Sequence, residues 1–156
     1  MRQSITAILS ATLLATAGCG SGGNTAPAPA PTPTTVVGIW DLQSVDFTNG
    51  SHATASAVIS FDLRADNTTS IVSCLSPSYV GTTLICPQKR VCGSGTYTFD
   101  GTTLVIQQTS QSGTKGGPVT FGPGVMIVSG PNLLGAQVSA SHFQPIGSLS
   151  TDCTPI

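Results

Sequence analysis

The sequence predicts an all-β fold, a small barrel or sandwich of short strands. Three observations predict it. Apolar and polar residues alternate with a period of two wherever the chain is periodic. The segment Gly95-Thr-Tyr-Thr-Phe-Asp-Gly-Thr-Thr-Leu-Val-Ile-Gln107 reads as a hairpin about Asp100-Gly101. No window after residue 35 carries a helical stripe, and short strand-like runs recur at intervals of about 8–12 residues, the spacing of sandwiches and barrels.

Before the domain stands a segment with the anatomy of an export signal. Arg2 and the α-amino group supply positive charge. Ile5, Ala7, Ile8, Leu9, Ala11, Leu13, Leu14 and Ala15 form an apolar stretch. Gln3 to Gly18 is 16 residues, short of the roughly 20 that a spanning helix needs. The run Leu14-Ala-Thr-Ala-Gly-Cys19 resembles a bacterial lipobox. That resemblance implies cleavage before Cys19 and a diacylglycerol on its sulfur. The expected organisation is a signal peptide over 1–18, a lipidated Cys19 with a flexible linker over 19–35, and a domain over 36–156. The linker is Gly/Ser-rich and then alternates Pro with Ala and Thr. Such a sequence has almost nothing to bury and stiffens toward polyproline II, as suits a spacer. The expected location is the cell envelope, with the anchor in the outer membrane of a Gram-negative bacterium.

Residues 36–156 make one domain of 121 residues. After Cys19 the chain carries four Lys and Arg against six Asp and no Glu, a net charge of −2. Charged residues are 7% of the sequence, against about 25% in ordinary soluble domains. No basic patch exists to meet nucleic acid.

Cys74, Cys86, Cys92 and Cys153 are an even set in an exported domain and read as two disulfides. Three pairings are possible; loop length alone favours Cys74–Cys86 with Cys92–Cys153. Five residues separate Cys86 from Cys92, with no nearby His and no second close pair, so zinc spacing is missing. No metal or cofactor is expected.

The strands are taken in order. Ile39–Phe47 is strand-like, with an apolar phase that shifts between Leu42 and Val45 as a bulge requires. Thr54–Leu63 alternates, with Val58 out of phase. Asp66-Asn67 signals a turn into the β-branched run Ser70–Leu75. A type I′ turn at Asp100-Gly101 would set Phe99 opposite Thr102, Tyr97 opposite Leu104 and Gly95 opposite Ile106. Tyr97, Phe99, Leu104 and Ile106 then share one face. Ser76–Pro87 and Thr109–Pro118 read as loops. Val119–Phe121, Val125–Ser129, Leu133–Ser141 and Phe143–Ile146 are weaker strand candidates.

Gly38-Ile-Trp40 resembles the Gly-x-Trp opening of lipocalin-like domains. Ile59-Ser-Phe-Asp-Leu-Arg-Ala-Asp-Asn-Thr68 is similar to a segment common in small bacterial members, and Gly95–Ile106 to the hairpin that follows it. The resemblance spans residues 36–108 and implies an up-and-down barrel with an apolar interior, in a lipocalin-like lipoprotein.

Catalytic signatures are not evident. Gly93-Ser-Gly95 lacks the flanks of a nucleophile elbow. His52 falls in a turn and His142 in a late strand, and the Asp residues read as turn and edge groups. Trp40, Phe61, Tyr97 and Phe99 fall on inward faces, as core or as the lining of a small apolar pocket. The expected function is a non-enzymatic, lipid-anchored barrel that binds a small apolar ligand. The alternative is a protein-interaction module, such as an inhibitor of a lytic hydrolase, working through exposed loops.

Overall fold

The computed structural model describes residues 34–110, 113–131 and 133–156. The expected leader, Cys19 and most of the linker lie outside the described residues. Twelve strands form: β1 (Gly38–Phe47), β2 (His52–Ser56), β3 (Ile59–Leu63), β4 (Thr68–Ser73), β5 (Ser78–Val80), β6 (Thr83–Ile85), β7 (Arg90–Phe99), β8 (Thr103–Gln108), β9 (Thr114–Gly122), β10 (Val125–Ser129), β11 (Val138–Pro145) and β12 (Cys153–Pro155). No helix occurs among the described residues.

Eight strands, β1, β3, β4, β7, β8, β9, β10 and β11, pair antiparallel in chain order, and β11 returns to β1. The molecule is therefore a closed antiparallel up-and-down barrel, one of the two architectures, barrel or sandwich, that short alternating strands allow. Closure removes the edges that an open sheet would expose.

Local exceptions in the pattern have local causes. The phase shift after Leu42 is a register shift between Leu42 and Ser44 on the β11 side. It keeps Leu42 and Val45 both fully buried. The single strand expected over Thr54–Leu63 is divided. Ala57 sits in the left-handed region at φ 55°, and this kink separates β2 from β3. Both segments still line one edge of β1: β3 pairs with Gly38–Asp41 and β2 with Ser44–Asp46. Ahead of the kink, β2 stands off the barrel wall and carries β6 and then β5 as an excursion. Ser76–Pro87, expected as a loop, is thus largely a small hairpin.

The hairpin at Asp100 forms in a different register. Phe99 faces Leu104, Tyr97 faces Ile106 and Gly95 faces Gln108. Asp100 does not occupy the turn; it caps it. Its Oδ1 accepts from the amides of Thr102 and Thr103 at 2.8 and 2.7 Å, so the two-residue loop is Gly101-Thr102. The displacement is an even number of residues, so the predicted faces survive. Thr109–Pro118 is also not all loop, because β9 begins at Thr114. Conversely, β11 starts at Val138, and the candidate strand from Leu133 is shorter than expected.

Side chains fill the barrel. Leu42, Phe61, Leu63, Leu104, Ile106, Met126, Val128 and Phe143 are all essentially inaccessible, and the Phe61 and Phe143 rings lie 5.4 Å apart. The polar ends of the buried aromatics are satisfied. Trp40 donates through Nε1 to the Val36 carbonyl at 2.7 Å. Tyr97 donates its hydroxyl to the Arg64 carbonyl at 2.6 Å.

Two disulfides join Cys74 to Cys86 and Cys92 to Cys153, with Cα atoms 5.6 and 5.4 Å apart. The first closes the base of the β5–β6 excursion. The second holds β12, which runs parallel to β7 beside Arg90–Cys92. That is the stretch of β7 that β8 does not reach, since β8 pairs only with Gly95–Phe99. β12 thus completes the wall.

Candidate functional site

The chain's chemistry-bearing surface lies at the barrel end where β1 finishes and β2 departs. Within the excursion, Leu75, Tyr79 and Val80 are 62%, 53% and 63% exposed. These are three large apolar side chains left in water on one disulfide-closed segment. The Tyr79 ring stands 6.1 Å from that of Phe47, at the end of β1. A cleft of about 490 Å³ opens on one side of this pair, lined by Phe47, Asn49, His52, Tyr79 and Gln137 among others. A smaller one of about 230 Å³ opens on the other, against Pro77, Leu84 and Leu134.

Beside the larger cleft, Asp46 holds two imidazoles. Its Oδ1 lies 2.7 Å from His52 Nδ1 and its Oδ2 lies 2.7 Å from His142 Nε2. The strand pairing dictates this. Asp46 is the register partner of His52 across the β1–β2 turn, and β11 brings His142 opposite Ser44, one outward position away. Hydrogen bonds from His52, and then His142, hold the Asp46 carboxyl below its ordinary value. The trio fastens β2 and β11 to β1. Among the described residues, no hydroxyl or thiol hydrogen-bonds to either imidazole, and no group of three His, Cys, Asp or Glu is placed to hold a metal ion.

The residues singled out in the sequence fall as follows. Trp40, Phe61 and Tyr97 are in the filled interior; Phe99 is half-buried at the opposite rim, edge-on to Phe121 at 6.5 Å. None of the four lines any of four clefts found among the described residues. They are packing residues. Cys19 lies outside the described residues. Sequence reasoning missed Phe47, Leu75, Tyr79 and Val80, and it missed the joining of Asp46 to both histidines. One signal was present for Leu75, Tyr79 and Val80: residues 67–88 contain no charged side chain and carry the Cys74–Cys86 closure. For the joining, Asp46 and His52 flank the turn signal Asn49-Gly50 and so had to face each other.

No family model, curated protein or solved structure matches this chain.

Proposed function

We propose that this protein is a lipid-anchored envelope lipoprotein of lipocalin-like type whose barrel is a non-enzymatic protein-interaction module. Cys19 tethers it to the membrane, with the outer membrane as the expected site, and the β5–β6 excursion presents the binding surface. One observation carries this reading. The interior of the barrel is occupied by its own side chains, while Leu75, Tyr79 and Val80 are exposed on a disulfide-closed excursion. A hydrolase inhibitor is one partner-binding role consistent with it. Retention of an envelope protein on the immobilised parent, and its loss on Leu75→Asp or Val80→Asp, is the expected result. Equal retention by parent and variants would refute the assignment of the surface. Intact mass of the mature protein tests the anchor: acylation at Cys19 with residues 1–18 removed is expected.

A second reading rests on the cleft beside Phe47 and Tyr79, whose volume of about 490 Å³ is within the range of small-molecule sites. A small apolar ligand would sit there and not inside the barrel. It would raise the melting temperature of the parent and not of Tyr79→Ala.

A further inference from the structure

We infer that β5 is a receptor edge, to which the partner adds an extended, uncharged strand by hydrogen bonding to the backbone of Tyr79. This rests on the interaction reading above and specifies the partner's conformation.

The backbone supplies the first argument. β5 pairs with β6 on one side and, among the described residues, with no strand on the other. The direction of its free groups follows from β6. Thr54 N–H donates to the Thr82 carbonyl at 3.1 Å, so residues 82 and 84 address β2 while residues 83 and 85 address β5. Their partners Val80 and Ser78 are therefore committed to β6. The hairpin loop is Gly81-Thr82, with Gly81 at φ 62°, as a two-residue turn with Gly first requires. Tyr79, between the two committed residues, directs its N–H and C=O away from the sheet. Unpaired groups of this kind are what an added strand satisfies.

Charge supplies the second. Exposed edges are ordinarily guarded by Lys, Pro or an inward charge. Here residues 67–88 hold no charge, and the single guard is Pro77, which bounds the ladder at Ser78. A charged segment would find no opposite charge within residues 67–88, and Asp46 beside the larger cleft is already bonded to both histidines. An uncharged one can seat apolar side chains against Val80 and in the clefts that flank Tyr79.

Two other occupants fit less well. Pairing of β5 with β5 of a second copy is limited to three residues on both sides, whereas a longer partner segment can extend past the ladder into the flanking clefts. A bilayer faces a geometric difficulty. β1 spans ten residues from Gly38 to Phe47, so at about 3.3 Å per residue the excursion lies some 30 Å from where the linker enters. A leash drawing Gly38 toward the membrane leaves β5 on the far end.

The test is selection of a phage-displayed library of random dodecapeptides on the full chain, with folding of every variant checked by circular dichroism. Enriched peptides should be uncharged and should alternate β-branched or aromatic residues with others. They should bind at least tenfold more weakly to Tyr79→Pro, which removes the outward amide alone from the backbone, and to Val80→Lys. Val105→Lys, on the outer wall of the barrel, should bind them as the parent does. N-methylation of alternate amides in the peptide should abolish binding in one phase and spare it in the other. Binding that Leu75→Asp abolishes but that ignores both methylation patterns refutes strand addition and leaves the interaction surface standing. A library with nothing enriched above the Val80→Lys background overturns both. Sedimentation with phosphatidylglycerol vesicles that requires Leu75 and Val80 assigns the edge to lipid and refutes the proposal.

Discussion

Asp46 on β1 and His142 on β11 are 96 residues apart in sequence and 2.7 Å apart in space, at the seam where the barrel closes. The same carboxylate holds His52 on β2, so one acidic side chain joins the seam to the strand that carries the excursion.

That junction makes a pH prediction. Hydrogen bonds from His52 and His142 lower the Asp46 pKa from its ordinary 3.8. A lowered folded-state pKa contributes stability above the unfolded value and loses it as pH falls through the folded one. The Asp46 side chain is 40% exposed, so screening limits the contribution to about 0.5 kcal/mol per contact. Asp46→Asn should lower Tm by about 2–5 °C at pH 6, with the gap to the parent closing as pH falls below the ordinary carboxyl value of 3.8. Melting curves across this range check it, and a gap that widens in acid contradicts it.

The disulfides should differ in weight. Cys92–Cys153 closes a separation of 61 residues and Cys74–Cys86 one of 12. Chain-entropy arguments assign about 4 and about 3 kcal/mol. Urea titration of the two double-Ser variants should find the first less stable, with its β12 amides the first to lose exchange protection. The second should lose binding at the excursion before it loses the barrel.

Core truncation should be costly because the interior has no slack. Phe61 is 1% exposed, and its ring packs 5.4 Å from that of Phe143, tilted by 41°. Phe61→Ala should cost about 3–5 kcal/mol, read from the denaturation midpoint at unchanged m-value. A loss under 1 kcal/mol would mean the barrel is less filled than described.

Gly95 tests the wall. A Cβ there would run into the Gln107 carbonyl oxygen on β8. Gly95→Ala must therefore shift two paired strands, at about 1–3 kcal/mol. Gly101→Ala, in open space at φ 97°, carries a backbone penalty alone. Equal Tm losses that vanish for both at high salt would contradict a steric cause.

Legibility in the sequence tracked physical scale. Which face each residue takes was readable, because period two is set by the pleat itself. Trp40, Leu42, Phe61, Tyr97, Leu104 and Ile106 all lie where alternation put them. Even the bulge after Leu42 announced itself as a phase shift. Register was harder. Asp100 is a good turn residue and an equally good cap, and only the amides of Thr102 and Thr103 decide between them. Gly116-Gly117-Pro118 reads as loop by propensity, yet the close approach of β9 to the carbonyls of Leu104 and Ser129 demands glycine there. The site was least visible. β5 and β6 are three residues each, too short for a period to show, and Asp46 meets His142 only after the barrel has closed.

The pairing of β1 with β11 also bears on how fast the molecule can assemble. A meander alone is built from neighbours in sequence, but this seam must draw together segments separated by 96 residues. Such distant contacts slow the search, placing barrels of this kind in the millisecond-to-second range. During that interval the unclosed chain holds the apolar faces of its strands open to solvent. Once formed, the Cys92–Cys153 bond locks β12 against β7 and holds that stretch of the wall in place.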